Sequence, residues 1–134
     1  MRILLNLEAL NDQKVHDIND YRKVQGFVYD RLINPTSFRN IHDLKTYKLF
    51  CFSNLFPPSI VKSGELRYLL FCSPNNHMVN SILSYIKQNL KSIEAVNIGQ
   101  QQYLLKSAQL LEIKISNRKC VIRSSTPISV RIPE

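Results

Sequence analysis

Three side chains between positions 29 and 48 could together cleave an RNA phosphodiester: Tyr29, His42 and Lys48. An imidazole exchanges protons near neutral pH, because its unperturbed pKa is about 6.5. A phenol can also take part in proton transfer, and an ammonium group can stabilise charge on phosphoryl oxygens. Attack of a ribose 2′-hydroxyl on the adjacent phosphate needs a proton acceptor, a proton donor and a fixed positive charge. The three residue types therefore indicate RNA transesterification without a metal or another cofactor.

Each of these residues also has an ordinary structural explanation. A single loop histidine more often fills the surface, and a tyrosine at the edge of a helix stripe usually packs with its hydroxyl in water. A lysine at a sheet edge commonly protects the strand from aggregation. The other histidines, His16 and His77, form no metal-ligand spacing with His42. The prediction therefore depends on the three residues acting as a set.

Charge is the unusual feature of the composition. The chain has 134 residues, enough for one domain with its own core, and a net charge of +8. Lys and Arg bind phosphates with release of counterions, so a basic chain favours an anionic partner, although many basic proteins have no specific one. The predicted RNA-binding residues are basic side chains on the first helix and the following loop: Arg22, Lys23, Arg31, Arg39 and Lys45.

Cysteine usage and hydropathy predict a cytoplasmic protein. Cys51, Cys72 and Cys120 are odd in number and far apart in apolar runs, which matches neither a zinc site nor a disulfide framework. We therefore expect buried thiols in a reducing compartment. The sequence contains no run of 18 apolar residues and no signal peptide, so we expect no membrane association.

Helical spacing predicts the element that carries Tyr29. Asn19 or Asp20 suits the N-cap, and Asn34-Pro35 suits the end of the helix. Tyr29 lies about 100° or more from the centre of the apolar stripe, so we expect it to leave the helix sideways. The stripe comprises Tyr21, Val24, Val28 and Leu32.

The remaining pattern predicts a ferredoxin-like α+β fold. A loop over residues 34–47 carries His42, and Ser73 is the expected N-cap of the second helix, with Pro74 as its first residue. The order β-α-β-β-α-β gives a four-stranded antiparallel sheet with two helices on one face. Its other face must be polar, bind a ligand or meet another domain. Strands are predicted at residues 1–7, 48–53, 66–73, 103–106, 110–116, 120–123 and 128–132, with a bulge at 107–109.

Six short motifs follow one another along nearly the whole chain: MRI at residues 1–3, VQGFVY at 24–29, HDL at 42–44, KLFCFSNL at 48–55, SP at 73–74 and SSTPISV at 124–130. In this order and spacing, they resemble motifs of the CRISPR-repeat endoribonucleases of the RAMP superfamily, the sixth family of Cas proteins.

The resemblance implies cleavage of CRISPR repeat RNA to a 2′,3′-cyclic phosphate and a 5′-hydroxyl. Tyr29, His42 and Lys48 match the triad positions of some archaeal members. It implies that Tyr29 and His42 share the proton transfers, with either as the base, while Lys48 stabilises the phosphoryl oxygens.

Full-length members of that family carry two such domains and a Gly-rich loop in the second. Residues 1–134 match one domain and contain no such loop, and residues 124–134 are expected to be a strand entering a linker. We therefore expect a second ferredoxin-like domain or self-association to complete the RNA site. The alternatives are an RNA-binding module that does not cleave, and an assembly domain without RNA.

Overall fold

The computed structural model describes residues 1–14, 20–89 and 95–112, which form one antiparallel sheet and two helices. The strands are β1 (Arg2–Ala9), β2 (Cys51–Phe52), β3 (Leu66–Cys72), β4 (Val96–Ile98) and β5 (Gln101–Leu111). The α-helices are α1 (Asp20–Phe27) and α2 (Asn76–Asn89); α1 continues as a π-helix (Val28–Ile33), and a 3₁₀ turn (Arg39–His42) follows.

The sheet has the strand order β2-β3-β1-β5-β4, and every pair of neighbouring strands is antiparallel. The mixed α/β class and the antiparallel sheet agree with the prediction. The sheet has five strands where four were expected, because β4 adds a short edge strand beside β5. The strands predicted at 120–123 and 128–132, and the linker at 124–134, lie outside the described residues.

Alternation along β1 separates a core face from a second face. Ile3, Leu5 and Leu7 are fully buried and join the buried residues of both helices in a single core. Leu4 and Asn6 point to the other face and are half-buried. This arrangement follows from the period-two geometry of a strand, in which successive side chains leave opposite faces. Both helices therefore pack on the face that carries the odd-numbered residues of β1.

The first helix changes its hydrogen-bonding pattern at the candidate catalytic tyrosine. The N–H of Asn34 donates to the carbonyl oxygen of Tyr29 at 2.8 Å, a bond between residues five apart. Tyr29 is 8% exposed, so the prediction that it leaves the helix sideways is wrong. The wider turn and the covering segment from 39 to 50 enclose its ring. Tyr21 was predicted to be in the apolar stripe but is 49% exposed, where it stacks on Phe52 with centroids 5.0 Å apart.

The second strand is shorter than predicted. Lys48 was expected to open it, but pairing begins at Cys51. The N–H of Phe50 instead donates to the carbonyl oxygen of Lys48 at 2.8 Å. This local turn takes the Phe50 amide away from the sheet. Lys48 therefore lies in the connecting segment before β2.

The second helix begins at Asn76, later than predicted. Ser73 was the expected N-cap, but its hydroxyl donates to the carbonyl oxygen of Leu49 at 2.6 Å. The same hydroxyl accepts the N–H of Asn75 at 3.0 Å. Asn75 is the actual cap, since its Oδ1 accepts the N–H of Met78 at 3.2 Å. Ser73 therefore connects the segment before β2 to the start of α2.

The long strand β5 is continuous and contains one irregularity. Its pairing with β1 shifts register between Asn6 and Leu7, which face Ser107 and Leu105. The extra residue is Lys106, so the bulge lies one residue before the predicted range of 107–109. The Nζ of Lys106 is 3.2 Å from a carboxylate oxygen of Glu8. Among the described helices, none is long and apolar enough to cross a membrane.

The cysteines differ from the prediction of buried thiols. Cys51 is exposed and Cys72 is half-buried. Their neighbours Phe52 and Phe71 occupy the core side of β2 and β3, so the strand pleat directs both thiols to the other face. Cys120 lies outside the described residues.

Candidate active site

The structure brings the predicted phenol and imidazole into contact. The ring centroids of Tyr29 and His42 lie 4.8 Å apart at an interplanar angle of 77°, an edge-to-face arrangement. Tyr29 comes from the π-helical turn and His42 from the end of the 3₁₀ turn. The loop after Pro35 is short, and its 3₁₀ turn packs against the π-helical end of the first helix. Two groups that are 13 positions apart in sequence are therefore neighbours in space.

The predicted ammonium group reaches the same place. The Nζ of Lys48 lies 5.6 Å from the centroid of the Tyr29 ring, within the range of a cation–π contact. Lys48 is half-buried, whereas the side chain of His42 is 64% exposed. The Tyr29 ring thus contacts both other members of the predicted triad.

An aromatic cluster fixes the position of the Tyr29 ring. Phe50 contacts Tyr29 edge-to-face at a centroid distance of 5.7 Å and stacks on Phe71 of β3 at 5.6 Å. It also stacks on Phe52 at 6.5 Å. Phe50 therefore contacts the candidate site on one side and the core rings of β2 and β3 on the other.

A polar cavity of about 550 Å³ opens beside Tyr29 and His42. Its wall combines two arginines with two aspartates, so its lining charges balance, while amides supply neutral donors and acceptors. The cavity is lined by Arg22, Gln25, Gly26, Tyr29, Asp30, Asn34, Arg39, His42 and Asp43. Such a wall suits a polar ligand with hydrogen-bonding groups, and each of its two arginines can pair with one negative charge of that ligand.

Two of the five predicted RNA-binding residues line this cavity. Arg22 comes from α1 and Arg39 from the 3₁₀ turn. Arg31 and Lys45 are exposed but do not line it. The side chain of Lys23 packs against the turn at Gly99, where an added Cβ would collide with it. Lys23 is thus directed to the β4–β5 turn.

Asp43 is a neighbour of the imidazole that the sequence prediction gave no role. One of its carboxylate oxygens lies 3.7 Å from Nδ1 of His42, and its side chain is 88% exposed. An exposed pair at this distance contributes little to stability. The 3.7 Å separation is also too long for a hydrogen bond, so Asp43 does not fix the orientation of the imidazole. Its position directly after His42 was the only sequence signal.

On the polar face of the helix, the prediction included Arg22 but not Gln25, although helical spacing gave a signal for it. Arg22, Gln25 and Tyr29 have helical spacing and line one side of the cavity. On a regular helical wheel at 100° per residue, Lys23 and Arg31 lie about 120° and 160° from Tyr29, so the period itself separates them from this face. Within the ranges 1–14, 20–89 and 95–112, no three His, Cys, Asp or Glu side chains cluster as metal ligands.

Comparison with known proteins identifies relatives by sequence. The chain is 30% identical over 118 residues to CRISPR-associated endoribonuclease Cas6 2 of Methanocaldococcus jannaschii, covering 88% of this chain and 46% of that protein. It is 26% identical over 134 residues to CRISPR-associated endoribonuclease Cas6 of Haloferax mediterranei, covering 98% and 47% respectively. The chain thus spans about half the length of the curated relatives it matches.

The fold is similar to that of a solved structure described as a RAMP protein binding different RNA substrates. The TM-score is 0.65 at 16% sequence identity, over 88% of this chain and 51% of the other. No family model matches the sequence. The relatives and the fold confirm the resemblance to the CRISPR-repeat endoribonucleases that the sequence motifs predicted.

Proposed function

We propose that this chain forms the catalytic part of an endoribonuclease that cleaves CRISPR repeat RNA. The observation that carries the proposal is that His42 and Lys48 both approach the ring of Tyr29. The centroid of the Tyr29 ring lies 4.8 Å from the centroid of the His42 ring. The same centroid lies 5.6 Å from Nζ of Lys48. The names of the two sequence relatives support ribonuclease activity at the level of the family.

In the proposed reaction, the ribose 2′-hydroxyl attacks the adjacent phosphorus. One of His42 and Tyr29 accepts the hydroxyl proton, and the other donates a proton to the departing 5′-oxygen. Lys48 stabilises negative charge on the non-bridging oxygens as the phosphorane develops. The bond to the 5′-oxygen then breaks, which leaves a 2′,3′-cyclic phosphate and a 5′-hydroxyl. No step requires a metal ion.

The cavity beside the triad is the proposed location of the RNA backbone. Arg22 and Arg39 border it from two different elements, so both could pair with phosphates of one strand. The aspartates on the same wall disfavour a dense run of phosphates, which limits the cavity to a short stretch of backbone. The rest of the RNA surface is proposed to come from a second domain or a second copy of the chain.

A cleavage assay in EDTA tests this proposal. Labelled repeat-type RNA is incubated with the protein, beside RNA that has a 2′-deoxyribose at the cleaved position. We expect cleavage of the all-ribose substrate, no cleavage of the deoxy substrate, and a cyclic phosphate in the product. Equal cleavage of both substrates would contradict the proposed nucleophile, and complete loss of activity in EDTA would contradict a metal-free reaction.

A second candidate is an RNA-binding module that does not cleave. It is favoured by the structural neighbour, a RAMP protein that is described as binding different RNA substrates. It is also compatible with the open position of His42, whose side chain is 64% exposed. Salt-dependent RNA binding without a cyclic-phosphate product, retained in His42→Ala, would support this candidate over the ribonuclease.

A further inference from the structure

Cys51 and Cys72 are direct partners across β2 and β3. Paired residues of antiparallel strands have Cα atoms about 4.5–5.5 Å apart and project to the same face. That spacing lies inside the range of about 4.4–6.8 Å between the Cα atoms of natural disulfides. Backbone geometry therefore already places these two cysteines where a disulfide can form.

Both cysteines border open space. An open groove of about 390 Å³ is lined by residues that include Cys51, Cys72 and Arg2. Cys51 is exposed. Burial, and secondly the neighbouring Cys51 thiol, raise the pKa of the Cys72 thiol, and Arg2 acts in the opposite direction. The exposed Cys51 is consequently the better first nucleophile, with Cys72 as the second.

We propose that Cys51 and Cys72 are a redox modification site that closes to a disulfide by exchange with small-molecule disulfides such as glutathione disulfide. The Cys51 thiolate attacks one sulfur of the reagent, which forms a mixed disulfide and releases one thiolate. The Cys72 thiolate then attacks the Cys51 sulfur and releases the second thiolate. The protein loses two electrons and two protons, and the reagent gains them as two thiols.

The closed disulfide would hold the segment that leads from Lys48 into the sheet. Strand β2 contains only Cys51 and Phe52, so few backbone hydrogen bonds attach it to β3. A covalent bond at its first residue restricts opening of the strand from the end nearest to Lys48. This inference does not depend on the proposed ribonuclease activity.

Thiol–disulfide exchange on the chain with the Cys120→Ser substitution tests the inference, because only the pair then remains. The protein is equilibrated in glutathione buffers of increasing oxidation, quenched with acid, alkylated and weighed by mass spectrometry. We expect a monomer that has lost two hydrogens and resists alkylation, and a rise in Tm of roughly 5–15 °C relative to the reduced form. The double variants Cys120→Ser/Cys51→Ser and Cys120→Ser/Cys72→Ser are the controls, and they cannot close.

The same equilibration in guanidinium separates a structural effect from simple thiol reactivity. If the fold brings the sulfurs together, the equilibrium constant for closure should be roughly 30- to 1000-fold larger in the native chain. Equal constants in both states would overturn the inference. A glutathione adduct that does not close, an intermolecular dimer, or two alkylatable thiols in the most oxidising buffer would overturn it as well.

Discussion

The helix end that carries Tyr29 and the loop that carries His42 present their reactive groups in opposite ways. Tyr29 is 8% exposed and its ring is held by Phe50, which stacks on the core residue Phe71. His42 ends a four-residue 3₁₀ turn in which no residue is buried. In the first region, the group proposed to react also belongs to the core. In the second, it lies at the surface and reaches the core only through its edge-to-face contact with Tyr29.

This difference decides how mutations should behave. A side chain in the core couples chemistry to stability, so its effect on rate can be isolated only by removing the hydroxyl and keeping the ring. An exposed loop side chain can be removed entirely with little effect on unfolding. The relation between rate and stability across variants therefore tests whether the two regions are correctly assigned.

The largest effect on rate is expected from His42→Ala. Loss of one proton-transfer group should slow RNA cleavage by roughly 10²–10⁴-fold. Since the side chain is 64% exposed and its main packing contact is with the Tyr29 ring, the free energy of unfolding should fall by at most about 1.5 kcal/mol. Single-turnover cleavage and urea unfolding measure the two quantities. His77→Ala is the matched control, because it removes an exposed imidazole at the start of α2. A full rate in His42→Ala would remove this residue from the mechanism.

Two substitutions of Tyr29 should separate its effect on the cleavage rate from its effect on stability. Tyr29→Phe keeps the ring contacts with His42 and Phe50, so cleavage should fall by about 10²–10³-fold with little change in stability. Tyr29→Ala also removes a buried ring and should lower the free energy of unfolding by about 3 kcal/mol. Cleavage kinetics and urea titration on both variants test the coupling. A stability loss in Tyr29→Ala below about 1 kcal/mol would contradict the placement of the ring in the core.

Lys48 is intermediate in burial between Tyr29 and His42, since it is half-buried in the segment before β2. Lys48→Ala should slow cleavage by about 10²-fold, the lower end for loss of a group that stabilises transition-state charge. RNA affinity should weaken much less, and the slope of log K against log salt should fall by about one for a lost phosphate contact. Binding titrations at several salt concentrations and single-turnover rates are the measurements. A loss of affinity with an unchanged single-turnover rate at saturating protein would show that Lys48 contributes only to binding.

Sequence patterns predicted the long elements well because burial dominates their residue choice. The alternation in β1 and β3 and the apolar spacing in α2 appear in the structure close to their predicted bounds. The failures occur where side-chain and local backbone hydrogen bonds compete with a regular pattern. Ser73 bonds to Leu49 instead of capping α2, and Phe50 bonds to Lys48 instead of joining β2. Neither bond leaves a periodic signal.

In the candidate site too, some features could be predicted from the sequence and others could not. A resemblance in residue types and order identified Tyr29, His42 and Lys48, and the structure places them together. The burial of Tyr29 could not be predicted from a regular helical wheel, because a π-helical turn and a loop from later in the chain enclose it. The predicted RNA-binding residues of the first helix point in different directions for a simpler reason. Arg22, Lys23 and Arg31 were grouped by charge, whereas the helical period separates them.

The smallest expected effect is on RNA binding, and it tests whether the helical period separates the role of Arg22 from that of Arg31. Arg22→Ala removes a charge from the cavity wall and should weaken RNA binding roughly three- to tenfold at low salt, with a reduced salt slope. Arg31→Ala is the matched control, since it removes the same exposed group from the same helix at a position that does not line the cavity. Fluorescence titration with labelled RNA measures both variants. Since each loses one positive charge, any general electrostatic effect is shared, and only a specific contact can separate them. Equal losses would mean that the chain attracts RNA through its net charge and that the cavity is not the path of the backbone.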